Sequence, residues 1–169
     1  MISQTAHFPG LTPERLYDAY LSAEHHAAMT ADGRQQVTYQ RPDGSTADGP
    51  QAGDRLLAFG QPAGDGRVEY RLTARLLELV PGERIVMAWR SAAWEAAVSA
   101  VPAATASVAV LRFAPTVAGA EIRLDQVGVP VYEVYLPDTG ERGPLESIVN
   151  THWNLLYWEP MRQYFSAIG

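Results

Sequence analysis

Cysteine and lysine are both missing from the 169 residues. Without cysteine the chain has no disulfide, no thiolate nucleophile and no thiolate metal ligand. Without lysine it has neither a Schiff-base amine nor the phosphate-gripping residue of a P-loop. Histidine is scarce, with four residues at positions 7, 25, 26 and 152. His25 and His26 are adjacent, so on a helix they diverge by about 100° and do not easily share a metal ion. No H-E-x-x-H, G-x-S-x-G or glycine-rich phosphate loop occurs, so neither metal nor cofactor is expected. No apolar run approaches the roughly 18 residues of a membrane span. The opening MISQTAHFPGL lacks the basic region and apolar stretch of a signal peptide. A cytoplasmic protein, folded as one domain over 1–169, is the expectation.

The basic residues are thirteen arginines spread singly along a chain of net charge −6. That pattern argues against nucleic acid as a partner. Hydrophobic residues make up 47% of the chain, enough for a sizeable core.

Ile2 to Phe8 reads as a strand, broken at Gly10. Leu11-Thr12-Pro13-Glu14 then opens a helix, with Thr12 as cap, Pro13 at the first helical position and Glu14 complementing the dipole. Leu11 and Leu16 stand at the two positions of a hydrophobic staple, and Leu16, Ala19 and Tyr20 make one apolar stripe. Ser22 caps a second short helix reaching about Thr30. Strands come next at Gln36–Arg41 and Arg55–Gly60, with a turn at Pro42-Asp43-Gly44 between them. Gly60, Gly64 and Gly66 mark a hairpin turn.

The clearest strand lies beyond that turn. Val68, Tyr70, Leu72, Ala74 and Leu76 alternate with Arg67, Glu69, Arg71, Thr73 and Arg75, one face apolar and the other wet. After the Pro81-Gly82 turn, Ile85, Met87 and Trp89 continue the inward face, with Arg84, Val86, Ala88 and Arg90 opposite. Residues 92–106 are alanine-rich and fit either a long hairpin connection or a short helix around Trp94. Ser107–Phe113 and Glu121–Val127 are the last strands, with Leu111, Phe113, Ile122 and Leu124 inward. Such one-sided alternation belongs to an antiparallel sheet covered on one face.

Residues 129–144, with Tyr132 and Tyr135 among prolines and glycines, read as a loop. From Pro144 or Leu145 to about Ala167 the pattern is helical. Val149, Trp153, Leu156, Tyr157, Pro160, Met161 and Tyr164 share a face, while Thr151, Glu159, Arg162 and Ser166 lie opposite. Pro160 removes a hydrogen bond to the carbonyl of Leu156, so one bent helix is expected. Leu155 and Trp158 fall off the stripe, which places them at a helix edge or at a contact with a second copy in a homodimer. A helix with so broad an apolar face needs a concave apolar surface, and the sheet supplies one. The expected fold is α+β of the helix-grip kind, a curved antiparallel sheet around a long C-terminal helix, with two short helices after the first strand.

The run Leu79-Val80-Pro81-Gly82-Glu83-Arg84-Ile85-Val86-Met87-Ala88-Trp89-Arg90, followed by Trp94, resembles the C-terminal domain of the activator of the heat-shock-protein-90 ATPase, within the SRPBCC superfamily. Gly128-Val129-Pro130, the helix residues Trp153, Tyr157 and Phe165, and the opening Leu11-Thr12-Pro13-Glu14-Arg15-Leu16-Tyr17 are similar to the same family. The resemblance implies a helix-grip (START-like) fold with an apolar cavity between sheet and helix. It also implies a chaperone as a partner, although the eukaryotic activator does much of its chaperone binding through a separate N-terminal domain, for which this sequence has no room. Relatives in the superfamily bind lipids or polyketides, and some act as cyclases or dehydratases.

Eight side chains are expected to face the space between sheet and helix: Tyr39, Phe59, Tyr70, Met87, Trp89, Phe113, Trp153 and Tyr157. Aromatic residues fill such interfaces as plain core, each stabilising by roughly 1.5–3 kcal/mol when buried. As a group they also carry polar tips, and aromatic walls with a few polar groups are the usual form of a small-molecule site. The leading functional reading is therefore a module that binds a small hydrophobic molecule entering beneath 129–144. The alternatives are a chaperone-associated interaction protein and a cavity enzyme such as a cyclase or hydrolase. His152 is a candidate acid or base for the last, but no acid–base pair is evident.

Overall fold

A computed structural model of the chain describes residues 1–31, 33, 35–91, 107–131, 133–136 and 140–168. Strand β1 (Ile2–Pro9) leads into helices α1 (Pro13–Leu21) and α2 (Ala23–Met29). Six strands come after them: β2 (Gln36–Gln40), β3 (Arg55–Pro62), β4 (Val68–Val80), β5 (Arg84–Ser91), β6 (Ser107–Thr116) and β7 (Gly119–Val127). All pairings are antiparallel and the order is β1-β7-β6-β5-β4-β3-β2. The chain thus steps from one sheet edge to the other through two helices, then returns as a meander until β7 reaches β1.

The helices start where their caps require. Thr12 Oγ1 accepts from the backbone N–H of Arg15, and Pro13 stands at the first turn, where no donor is needed. Leu11 and Leu16 are both buried, closing the staple. Ser22 serves two helices at once. Its N–H ends α1 on the carbonyl of Asp18, and its hydroxyl accepts from the N–H of His25 to begin α2.

Alternation along β4 and β5 becomes burial: Leu72, Ala74, Leu76, Ile85, Met87 and Trp89 face the core, with Arg71 and Arg75 on the outside. A register shift between Leu76 and Glu78 makes Leu77 an extra residue, so that Leu77 and Glu78 are both exposed and Leu79 comes opposite the buried Ile85; such a bulge also bends the strand. Leu111, Phe113, Ile122 and Leu124 complete the inward face on β6 and β7. The expected antiparallel helix-grip architecture is the one observed.

The 129–144 segment, expected as a loop, is more than that: β8 (Glu133–Leu136) and β9 (Glu141–Pro144) pair as a separate two-stranded hairpin. Its strands are four residues each, too short to stand out against the surrounding prolines and glycines. Trp158, expected off the apolar stripe, is 2% exposed. The alternatives for 92–106, with Trp94, lie outside the described residues.

The burial of Trp158 has a local cause. The C-terminal run is α3 (Leu145–Trp153), a π turn at Asn154–Trp158, and α4 (Glu159–Ile168). The N–H of Glu159 reaches back to Asn154, five residues, so the π turn holds one residue more than an α turn and rotates the phase of α4. Pro160 sits just beyond it. It has no N–H for the carbonyl of Leu156, which accepts instead from the N–H of Ala31 at 2.8 Å. The helix's defect is thereby the bond that ties it to the link between α2 and β2.

Candidate functional site

The centre of the molecule is a ring cluster built on Tyr157. Its ring lies 4.8 Å from Trp153, 5.6 Å from His26, 5.7 Å from Phe59 and 6.0 Å from Tyr20, centroid to centroid. Trp153 in turn stacks between Trp89 at 6.0 Å and Trp158 at 5.4 Å. The C-terminal helix, α1, α2 and strands β2, β3 and β5 each contribute at least one member.

Of the expected site residues, Tyr39, Phe59, Met87, Trp89, Trp153 and Tyr157 meet in or beside this cluster, Tyr39 and Met87 joining it through hydrogen bonds. Two do not. Phe113 packs edge-on against Tyr17 at 5.6 Å and lines a surface cleft of about 390 Å³ with Leu11 and Gly82. Tyr70 is half-buried across from Gly60 on the neighbouring strand, its ring occupying the space a glycine leaves open. Another open cleft, about 440 Å³, lies between α1 and the end of α4, lined by Arg15, Asp18, His25 and Phe165.

Trp158, His26 and Tyr20 are the members that sequence reasoning did not select, and the last two carry polar contacts of the cluster. Both are fully buried. The Nδ1 of His26 stands 2.8 Å from the carbonyl of Tyr20, an acceptor only, so Nδ1 carries the proton. Nε2 is then an acceptor and faces the hydroxyl of Tyr157 at 3.3 Å. Tyr39 donates to the same Tyr20 carbonyl at 2.7 Å. The hydroxyl of Tyr20 stands 3.7 Å from the sulfur of Met87, a weak acceptor. Burial holds His26 neutral, lowering its pKa to about 4, and it raises the hydroxyls of Tyr20, Tyr39 and Tyr157. The hydroxyls of Tyr20 and Tyr157 also interact with each other, Tyr20 as the donor, and the contacts of these two tips to Met87 and His26 are weak or long.

The tryptophans are better served. Trp153 Nε1 donates to Gln126 Oε1 at 2.6 Å, and Gln126 Nε2 donates to Ser107 Oγ at 2.7 Å. Trp158 Nε1 donates to Gln4 Oε1 at 2.6 Å, while Gln4 Nε2 bonds the carbonyl of Asn150. Glutamines on β1 and β7 therefore anchor the helix to the sheet.

Backbone geometry concentrates at the same place. Phe59 adopts φ +55°, a left-handed conformation unusual for a bulky side chain, and its ring rests on Tyr157. The π turn carries Tyr157 and Trp158 themselves. Among the described residues no group of three or more His, Asp or Glu side chains is arranged to hold a metal. His152 lies outside the cluster, with Nε2 2.9 Å from Glu141 Oε2, clasping the β8–β9 hairpin to α3. No described helix is long and apolar enough to cross a membrane.

Known structures share this architecture. An HSP90 activator from Plasmodium falciparum superposes with a TM-score of 0.60 at 16% identity, covering 98% of this chain and 97% of that one. A protein from Mesorhizobium loti gives a TM-score of 0.60 at 18% identity, covering 99% and 98%. The Aha1 dimer from Colwellia psychrerythraea gives 0.54 at 9% identity, covering 99% and 91%. At these identities the likeness is one of fold. No curated protein sequence matches the chain. The family described as Activator of Hsp90 ATPase homolog 1-like protein matches residues 11–165, nearly the whole length, and the chain belongs to that family.

Proposed function

We propose that this chain is a binding module that takes a small apolar or aromatic molecule at the ring cluster around Tyr157. The observation that carries the reading is a convergence on one side chain. The π turn holds Tyr157, the left-handed Phe59 touches it, and its hydroxyl shares a long bond with His26. Strained backbone and π turns gather where a protein must move or bind. Hydroxyls with poor internal partners gain from a ligand that supplies better ones.

In this reading Trp89, Trp153, Phe59 and Met87 form the walls, while Tyr157, Tyr20, Tyr39 and His26 orient the ligand. The rings touch one another, so entry requires the C-terminal helix to shift at its π turn. Phe113 and Tyr70, away from the centre, would act only through packing.

The test has two arms. Native mass spectrometry of protein taken from its own host should show a retained small molecule. Titration with 1-anilinonaphthalene-8-sulfonate should give a saturable change in tryptophan emission, weakened in Tyr157→Ala while Phe113→Leu responds like the parent. No saturable change with the parent protein, and no retained mass, would end the proposal.

A second reading is favoured by the family itself, whose description and whose Plasmodium falciparum neighbour both concern activation of HSP90. Likeness of fold is a modest warrant for shared partners. The check is whether the chain raises the ATPase rate of its host's HSP90; an unchanged rate and no retention of HSP90 on immobilised chain would dismiss it.

A further inference from the structure

We propose that the outward face of β3 and β4 is a docking surface for an acidic, carboxylate-rich protein segment. The basis is a difference between two halves of one face. In the first half, Arg84, Arg112 and Arg123 stand in direct cross-strand register on β5, β6 and β7. Like charges opposite one another are destabilising. Each of these arginines is answered by its own acid. Arg84 bonds Glu78 at 2.7 Å, Arg112 bonds Asp125 at 2.6 Å and Arg123 bonds Glu121 at 2.5 Å.

The second half repeats the juxtaposition without the answer. Arg55 on β3 is the direct partner of Arg75 on β4, and Arg71 lies four residues earlier on the same exposed face. Four strand residues separate Arg71 from Arg75 by roughly 13 Å. Among the described residues none of the three has an ion pair. Arg55 reaches only Gln40 Oε1, at 3.5 Å. Glu69, two residues before Arg71, makes no ion pair with it either. Between the cations lie Thr73 and its β3 partner Leu57, both half-buried, while the partner of Thr73 on β5 is a further arginine, Arg90.

Three exposed guanidinium groups with no acid of their own among the described residues, set along a strip of strand face of roughly 13 Å, match a short row of carboxylates, which arginine grips in bidentate fashion. A long polyanion fits less well. The chain as a whole carries −6, and that charge repels duplex DNA or an anionic bilayer extending beyond the strip. This face lies on the opposite side of the sheet from the ring cluster, so the proposal stands or falls independently of the ligand reading.

The experiment uses the full chain and a fluorescein-labelled decaglutamate peptide, monitored by anisotropy at low ionic strength. Binding is expected, with none to decaglutamine and weaker binding to random duplex DNA or phosphatidylglycerol vesicles. The triple variant Arg55→Ser, Arg71→Ser, Arg75→Ser should lose about tenfold in affinity, and Arg112→Ser in the paired half less than about twofold. The triple variant should also melt no lower than the parent at low salt, because a repulsive pair has been removed. Lack of peptide binding by the parent, equal binding by the triple variant, tighter binding of DNA or vesicles, or a lower Tm showing that the arginine stems hold the sheet, would each overturn the proposal.

Discussion

Two residues decide more than their size suggests. His26 is buried and neutral, its pKa lowered from 6.5 to about 4 by desolvation, against an opposing contribution from its bond to the Tyr20 carbonyl. The unfolded chain therefore binds a proton that the folded chain refuses between those two values. Stability is full above pH 6.5 and falls as pH drops toward 4, at about 1.4 kcal/mol per pH unit, or roughly 3 kcal/mol across the window. Urea midpoints of the parent should decline through that range, and His26→Gln should flatten the decline. The carboxylates of Asp125 and Glu78, held below their usual values by bonds from Ser3 and Arg84, act at lower pH and do not mimic it. Gly119 is the second such position. A Cβ there would stand 2.4 Å from the carbonyl oxygen of Phe8, and backbone cannot move aside as a side chain can. Gly119→Ala should cost roughly 2 kcal/mol or more in denaturant unfolding, since overpacking against a rigid neighbour is seldom relieved. Neither effect is readable from sequence. A pair of adjacent histidines looks like any exposed pair until the fold sets one of them between three tyrosines.

At the scale of elements, what could be read were the periodic ones. The alternation in β4 and β5 announced their inward faces, and Thr12-Pro13 and Ser22 announced both short helices. Tyr39, Met87, Trp89, Trp153 and Tyr157 were legible as members of the interior because each sits on a periodic face, whereas Phe59 breaks the alternation, following the inward Ala58 directly and turned in by its left-handed backbone. Trp158 was not, because one extra residue in a π turn defeats a fixed angular step. The β8–β9 hairpin was not, because its strands are too short to establish a period. The bond from Ala31 to Leu156 shows how such irregularities are held together. Ala31 makes it at φ +47°, a conformation that costs a residue with a Cβ about 1–2 kcal/mol. Ala31→Gly should thus raise the urea midpoint by about 1 kcal/mol equivalent, less the entropy glycine adds to the unfolded chain. A fall would mean that the strain is illusory.

On the scale of the whole molecule, sheet and C-terminal helix depend on each other. The concave face holds Leu56, Ala74, Leu76, Ile85, Met87 and Leu111, all fully buried beneath α1, α2 and the C-terminal helix together. A chain ending at Pro144 would expose part of that surface together with the partners of Trp153 and Trp158. It should show no cooperative thermal transition by circular dichroism and should bind hydrophobic dyes without saturation. A sharp melt from the shortened chain would mean that the strands close over themselves. The net charge and the scattered arginines, legible from composition, say nothing of which arginines stand opposite one another. That required the register.

The strand order has a consequence for synthesis. Because the strand partner of β1 among the described residues is β7, this segment leaves the ribosome more than a hundred residues before its neighbour exists. Its backbone donors and its apolar Ala6 and Phe8 must wait, unpaired, through most of translation. A nascent chain of this topology completes its sheet only when the last strand of the meander has emerged, and closes its interior later still, when the terminal helix is released.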